Sequence, residues 1–433
     1  MLITWVRAAS LAIIKRAADE FLKLATDEFT AASDSAIVDA IVGIVCRTVE
    51  ALTQSLSGAA LIWRGIFTNR TTGNTLDFIL NRLPVLLSFL YDLGRPGTVL
   101  SESAPESAVD SVVESKGGEF PGQDNPYDEL DLRQAVNQHA VVYQVQRIAL
   151  TLVAVLKLGR QYVQPSGLGD LQMNVSLRSD FDKDGNPPEP TYTSKLGKAQ
   201  APPRLSEKWL FINGIANEQV WFRQSCDKIR DKFQREIRGI YNRSDGILWD
   251  LIECAGEHSM AELKDVVQRT QSSQAAQEVL ERELRDALWP SSGSPPEKVV
   301  MIAHSQGCLL LRLVLQALVE DDPNGSQRRK DMKERLRVFT FGNPSIDWQV
   351  IDGTEQALSE YAKVTEHFAH KVDFVALLGV VSYRDTGYGS ESVFYSKGGR
   401  GHLFGAHYPL EAKAYEEGGR SELLKAVNGR EIA

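Results

Sequence analysis

The sequence predicts an α/β fold: a mostly parallel sheet with flanking helices, preceded by an all-helical N-terminal region. Two observations lead to this prediction. From about residue 207 onward, short apolar runs alternate with amphipathic helical segments, which is typical of βαβ units. Before residue 163, apolar residues recur three and four positions apart, which is the spacing of one helix face.

The composition is that of an ordinary globular protein, with 433 residues, 43% hydrophobic and 24% charged. A net charge of −9 disfavours nucleic acid as a partner. The four cysteines have neither disulfide-like nor metal-like spacing, so we expect a reduced chain with no metal and no cofactor. No apolar stretch reaches the ~18 residues of a membrane span. We therefore expect a cytoplasmic protein, with peripheral membrane contact as the alternative.

Residues 1–93 are predicted to be a helical region. Ile37, Ile41, Val45 and Val49 lie four apart and would form one apolar stripe. Three interpretations stay open: a small helical bundle packed on itself or on the following domain, an interfacial helix pair on a lipid surface, or a partner-binding or self-association role. A basic polar face would favour the membrane, but acidic side chains dilute it here.

The middle of the chain divides by composition. Residues 94–127 are rich in Gly, Pro, Ser and acidic residues, which predicts a flexible acidic linker. Residues 128–163 predict a helix that packs on or near the following domain, and 164–206 predict a loop. The α/β domain is expected to occupy 207–433.

The elements of that domain follow from its apolar runs and helical spacing. The predicted strands are Trp209–Ile212, Ile237–Tyr241, Lys298–Ala303, Arg337–Phe341, Thr365–Val372 and Ser392–Ser396. The predicted helices are Trp221–Glu236, one starting within Gly246–Cys254, Ala275–Leu288 and Gly307–Val319, and a terminal helix starts near Pro409.

The most informative segment is Ala303-His-Ser305-Gln-Gly307, which joins a fully apolar strand to an apolar helix. Strand, tight turn and helix are the setting of a nucleophile elbow, and the G-x-S-x-G pattern is met with Ala303 in the first position. The small side chains on either side let the turn approach its neighbours. The helix N-terminus behind Ser305 would favour developing negative charge. We therefore predict Ser305 as a nucleophile, with an ordinary tight turn as the alternative.

A nucleophilic serine needs a base. In folds with a nucleophile elbow, the histidine that serves as base follows the serine in the chain. His367 and His370 lie in a predicted strand and are interpreted as structural. His402 and His407 lie in a glycine-rich loop after the last predicted strand. We prefer His402, because the glycines around it suit a loop tip. His407 remains the alternative base, although it is expected to cap or support the helix near Pro409.

The acid that orients the histidine should lie at the end of an earlier strand. Asp373 is in such a position, 29 residues before His402. Asp347 is its rival, and Asp385 and Asp352 are less favoured. A surface carboxylate is the alternative interpretation for each of them.

An oxyanion hole needs two backbone N–H donors. One is expected from Gln306, directly after the nucleophile. The other is expected from the loop Asn213-Gly214-Ile215, where Gly214 permits close approach, Ile215 N–H is the expected donor and Asn213 stabilises the loop through its side chain. A simple β-to-α turn is the alternative.

The order of four motifs carries a family resemblance: AHSQG at 303–307, TFGNP at 340–344, VDFV at 372–375 and GHL at 401–403. This order resembles fungal-type (class-three) lipases and related intracellular serine hydrolases of the α/β-hydrolase superfamily, over about residues 205–420. In that family a GHSxGG elbow precedes TFGxPR, Asp-x-Val and a late histidine. The resemblance implies an α/β-hydrolase-like fold and hydrolysis of a carboxylic ester, a small molecule or a lipid, in lipid metabolism. Ser305, Asp373 and His402 match the triad positions.

The sequence departs from the family pattern at three positions. Ala303 replaces the first glycine of the elbow, Cys308 replaces the last, and Ser345 replaces the arginine after FGxP. Alternatives therefore stay open: an acyltransferase or thioesterase with the same triad, or a catalytically degenerate scaffold that binds a membrane or a partner.

Overall fold

The structure, a computed structural model, describes Val99, most of residues 125–144, and residues 188–433 except 198–205, 215–216, 244–270, 323–325 and 351–355. The predicted helical region 1–93, most of the predicted linker and of the helix at 128–163, and the helix predicted at Gly246–Cys254 lie outside the described residues. Within the described part, no helix is both long enough and apolar enough to cross a bilayer.

The elements are close to those that the sequence predicts. The strands are β1 Thr191–Ser194, β2 Glu207–Ile212, β3 Ile237–Ile240, β4 Lys298–His304, β5 Leu336–Phe341, β6 Val364–Ala369 and β7 Val393–Tyr395. The helices are α1 Gln219–Phe233, α2 Gln271–Leu288, α3 Gln306–Glu320, α4 Gln327–Arg335, α5 Phe374–Leu378, α6 Arg384–Gly387 and α7 Glu422–Lys425.

The strands of the described residues form one seven-stranded sheet in the order β1-β3-β2-β4-β5-β6-β7. β1 is antiparallel to β3, and every other neighbouring pair is parallel. The predicted α/β class with a mostly parallel sheet is therefore confirmed. β1 lies inside 164–206, where we expected only loop. Its sequence TYTS has high strand propensity, and pairing with β3 fixes it as an edge strand.

Both faces of the sheet are covered, so successive residues of a central strand belong to different cores. In β4, Val299, Met301 and Ala303 pack in the core formed with α2 and α3. Val300 and Ile302 pack on the other side, with residues of α1 and of the C-terminal segment. A strand buried on both faces has a continuous apolar sequence, and this explains why the sequence pattern located β4 correctly.

The parallel register aligns the carboxyl ends of the central strands. His304 at the end of β4 is opposite Phe341 at the end of β5, and Phe341 is opposite Phe368 of β6. The residues that follow these strand ends therefore lie along one edge of the sheet, which is the usual location of ligand sites in parallel α/β sheets.

The prediction of a terminal helix that starts near Pro409 is wrong. The segment instead contains 3₁₀ turns at Ala412–Ala414 and Gly418–Arg420, followed by the short helix α7. Two adjacent glycines, Gly418 and Gly419, disfavour a continuous helix. The apolar residues Leu410, Tyr415 and Leu423 each reach the core against the sheet, and this irregular path allows it.

Candidate active site

The turn between β4 and α3 holds Ser305 in a strained conformation. Its backbone has φ 57° and ψ −129°, a region that residues other than glycine rarely occupy. Ser305 N–H donates to Phe341 O at 2.8 Å, and Cys308 N–H donates to Ser305 O at 2.9 Å. A Cβ at Gly307 would lie 2.6 Å from Asn213 O, so this position accepts only glycine. The chain therefore reverses sharply at Ser305, as the elbow requires.

Ser305, His402 and Asp373 form one hydrogen-bonded row. The Ser305 hydroxyl donates to His402 Nε2, with an Oγ–Nε2 distance of 2.7 Å. His402 Nδ1–H donates to Asp373 Oδ2 at 2.8 Å. All three side chains are buried. The three residues predicted as nucleophile, base and acid are thus brought together, and both imidazole nitrogens have partners.

The residues considered as alternative base and alternative acids are not part of this row. His407 Nδ1 accepts from Leu403 N–H at 3.0 Å, so this ring stabilises the loop that carries His402 from within. Asp347 forms an ion pair with Arg312 at 2.5 Å. Asp385 lies in the short helix α6, and Asp352 lies outside the described residues.

The two histidines interpreted as structural are buried and hydrogen-bonded. His367 lies in β6, and its Nδ1 forms a 2.7 Å hydrogen bond with Thr340 Oγ1. His370 follows the strand end, and its ring stacks on that of Tyr408 with centroids 4.1 Å apart. Burial lowers the pKa of both imidazoles to about 3, so they are neutral near pH 7.

The carboxylate of Asp373 accepts hydrogen bonds from three groups. Oδ1 accepts from Val375 N–H at 2.9 Å, and Oδ2 accepts from the Tyr408 hydroxyl at 2.5 Å in addition to His402. Burial alone would raise the pKa of Asp373, but His402, Tyr408 and His370 outweigh it and hold this pKa below its ordinary value. Burial and the neighbouring carboxylate raise the pKa of Tyr408, so its hydroxyl stays a donor. Asp373 is therefore ionised and suited to stabilise an imidazolium.

His304, directly before Ser305, fixes the backbone of His402. Its Nε2–H donates to His402 O at 2.8 Å, and the two rings lie 4.8 Å apart. Burial lowers the pKa of His304 well below its ordinary value, and the neighbouring His402 lowers it further, so this ring is neutral. The sequence analysis did not assign His304 a role, because its partner is 98 residues away.

The expected oxyanion hole is described in part. Gln306 is the first residue of α3, and the N–H groups of a first helical turn have no acceptor within the helix. A Cβ at Gly214 would lie 2.1 Å from Ser305 Cβ and 2.8 Å from its Oγ, so the Gly214 backbone approaches the nucleophile directly. Ile215, the expected second donor, lies outside the described residues.

Two asparagines connect this loop to the elbow. Asn213 Oδ1 accepts from Asn242 N–H at 2.8 Å, and Asn213 Nδ2 donates to Asn242 O at the same distance. Asn242 Nδ2 donates to Gln306 Oε1 at 2.8 Å. The ends of β2 and β3 are thus linked to the start of α3. The stabilising role expected of Asn213 involves Asn242, which the sequence analysis did not identify.

Gly342, the glycine of TFGNP, lies next to Asp373, His402 and Tyr408. It has φ +59°, and a Cβ there would lie 3.0 Å from the Tyr408 hydroxyl, 3.1 Å from Asp373 Oδ2 and 3.2 Å from His402 Cε1. Both the positive φ and the lack of space require glycine at this position. The motif therefore supplies room for the acid and the base.

A hydroxyl, an imidazole and an ionised carboxylate in one row, beside a helix N-terminus, can transfer an acyl group through a covalent serine ester. The hydroxyl would supply the nucleophile and the helix N-terminus would favour the oxyanion. No protein-family model, no curated protein and no solved structure matches this chain.

Proposed function

We propose that this protein is a serine hydrolase that cleaves a carboxylic ester through an acyl-enzyme, on an α/β-hydrolase-like fold resembling that of fungal-type lipases and related intracellular serine hydrolases. The observation that carries the proposal is the hydrogen-bonded row from Ser305 through His402 to Asp373, with distances of 2.7 and 2.8 Å. The substrate is a small-molecule or lipid ester.

In the acylation step, His402 Nε2 takes the proton from Ser305 Oγ as that oxygen attacks the ester carbonyl carbon. Asp373 stabilises the imidazolium that forms. The carbonyl oxygen becomes an oxyanion, for which Gln306 N–H and the loop at Gly214 are the proposed donors. The C–O bond to the alcohol then breaks, and the alcohol leaves with the proton from His402.

In the deacylation step, His402 takes a proton from water as the water oxygen attacks the acyl carbon. The bond to Ser305 Oγ breaks, the carboxylic acid is released, and the serine regains its proton from His402. One ester and one water thus give one acid and one alcohol. These steps use no metal and no redox cofactor.

The backbone at the nucleophile supports an active enzyme over a degenerate scaffold. A residue other than glycine at φ 57° costs on the order of 1–3 kcal/mol and persists where the surroundings enforce it. A buried carboxylate is also costly unless it is paired, and three groups donate hydrogen bonds to Asp373. A scaffold without catalysis would gain nothing from either feature.

The test is covalent labelling by a fluorophosphonate probe, together with hydrolysis of p-nitrophenyl esters of short and long acyl chains. We expect the wild-type protein to label and to release p-nitrophenol, and Ser305→Ala to do neither. His402→Ala should lose most activity, whereas His407→Ala removes a ring that supports the loop and not the proposed base, and should therefore lose less activity. A folded wild-type protein that does not label would refute the proposal.

Product analysis separates hydrolysis from acyl transfer. Turnover in the presence of an added alcohol or thiol should still give mainly the free acid. A predominance of the new ester or thioester would assign the same triad to a transferase instead.

A further inference from the structure

The loop that carries His402 contains many buried backbone groups, and these groups need hydrogen-bond partners. Residues 402–408, here called the histidine loop, are all buried but form neither helix nor strand. Buried backbone N–H and C=O groups that lack partners cost free energy comparable to a lost hydrogen bond. Leu403 and His407 meet part of this need within the loop, and other parts of the chain supply further partners.

Lys228 of α1 supplies the donors. Its buried Nζ donates to three carbonyl oxygens of the histidine loop: Phe404 at 2.6 Å, Gly405 at 3.1 Å and Tyr408 at 2.6 Å. The ammonium also lies 4.9 Å from the centroid of the Phe404 ring. One side chain thus satisfies the carbonyls at both ends of the stretch 404–408.

Glu129 supplies the acceptors. Its Oε1 accepts from Gly405 N–H at 2.8 Å, and its Oε2 accepts from Ala406 N–H at 2.7 Å. Its side chain is buried, although it comes from a segment that precedes the first strand of the sheet. Burial raises the pKa of Glu129 to about 7 and lowers that of Lys228 to about 7, while each group favours the charged form of the other.

The segment around Glu129 fits the histidine loop closely. A Cβ at Gly405 would lie 1.8 Å from Tyr127 O and 2.6 Å from Glu129 Oε2. Asn125 Nδ2 donates to Gly405 O at 3.1 Å. The Tyr127 hydroxyl donates to Asp231 of α1 at 2.5 Å, which fixes the segment beside the helix that carries Lys228. The contact therefore combines backbone fit with a buried carboxyl and a buried amine, each of which favours the charged form of the other.

We propose that Glu129, acting with Lys228, is a positioning residue for His402. The inference rests on the proposed function. Glu129 fixes two N–H groups and Lys228 three carbonyls of residues 404–408, two to six positions after His402. Together they set where the His402 imidazole lies relative to Ser305. A general base must be held within hydrogen-bond reach of its proton, and a displacement of about 1 Å costs on the order of 10²-fold in rate. Residues 125–129 are thereby part of the catalytic unit.

The test compares kcat and KM of wild type and Glu129→Gln, with rates divided by the number of sites that the fluorophosphonate probe titrates. The amide turns one acceptor into a donor that faces a backbone N–H and removes the charge beside Lys228. We expect kcat to fall by about 10- to 100-fold while KM changes little. The downfield proton resonance of His402 Nδ1–H should shift or broaden, which a role in folding alone would not cause.

Asp131→Asn is the matched control, because Asp131 lies in the same segment but bonds to Arg133 and Gln134 rather than to the histidine loop. It should keep the wild-type kcat. If Glu129→Gln melts below the assay temperature, Glu129→Asp replaces it: the charge remains, the side chain is one methylene short, and kcat should fall by about 10-fold.

Wild-type kcat per titrated site in Glu129→Gln or in folded Glu129→Asp would overturn the positioning role and leave the proposed hydrolase intact. An equal loss of kcat in Asp131→Asn would also overturn it, because the effect would then belong to the segment in general. A wild-type protein that neither labels nor hydrolyses esters would refute the proposed function, and the positioning role with it.

Discussion

Replacing Gly214 by alanine tests the geometry of the site with one methyl group. The new Cβ would lie 2.1 Å from Ser305 Cβ, 2.8 Å from Ser305 Oγ and 2.7 Å from His304 O. Carbon atoms in contact normally lie about 3.5–4.0 Å apart, so the nucleophile and the loop must separate by roughly 1.4 Å or more. A shift of about 1 Å costs on the order of 10²-fold in rate. We therefore expect kcat/KM to fall at least about 100-fold, or about 2.7 kcal/mol of transition-state stabilisation.

The assay for Gly214→Ala is kcat/KM on a p-nitrophenyl ester together with the rate of fluorophosphonate labelling. Gly419→Ala is the control, because a Cβ there meets no atom within 4 Å. Thermal melting shows whether each variant is folded at the assay temperature. A folded Gly214→Ala with nearly wild-type kcat/KM and labelling rate would mean that the Gly214 backbone does not lie against Ser305, and would refute the derived site geometry.

Three further predictions concern the acid and a buried histidine. Asp373→Asn should lower kcat about 10⁴-fold, because an amide can donate to His402 Nδ1 and so favour the wrong tautomer; kcat per titrated site measures this. Tyr408→Phe removes a donor from Asp373 and should raise the pKa of that carboxyl. Since the stability from a depressed carboxyl pKa is lost as the pH falls through the folded-state value, the variant should lose stability at a higher pH on acidification, as urea denaturation below pH 5 would show. Burial lowers the pKa of His367 from 6.5 to about 3, so the unfolded chain binds a proton there that the folded protein does not. His367 should thus cost about 2 kcal/mol of stability between pH 7 and pH 5. His367→Gln should remove that part of the pH dependence of the urea midpoint, and an unchanged dependence would contradict it.

The sharp turn at Ser305 and the strand before it could be predicted because their signals are local. β4 is buried on both faces, so its sequence is continuously apolar, and the residues that allow the sharp turn at Ser305 are its immediate neighbours in the chain. The expected position of Asp373 also follows from a local signal, the end of an apolar strand. In the structure Asp373 lies four residues beyond the end of β6 and caps α5 through Val375 N–H.

Local signals offer no sound reason for preferring His402 to His407. The two residues lie in the same glycine-rich loop, and both are buried. What separates them is the three-dimensional path of the chain. Gly401 has φ +84°, and a Cβ there would lie 2.6 Å from the His407 ring, so that ring packs beneath the loop and accepts from Leu403 N–H. The loop tip predicted from the glycines around His402 is instead a buried loop.

Ser305 and His402 are held in position in different ways. Ser305 is held by a strand and a helix, whose geometry is determined by residues next to it in the sequence. His402 lies on an irregular loop, so its position depends on side chains far away: His304 is 98 residues distant, Lys228 contacts the loop across 176 to 180 residues, and Glu129 contacts it across 276 and 277. Each of these contacts joins a side chain to a backbone group, and any loop sequence offers backbone groups. The loop sequence therefore cannot reveal its partners, and a side chain such as His402 on a buried irregular loop needs such partners to be held within reach of Ser305.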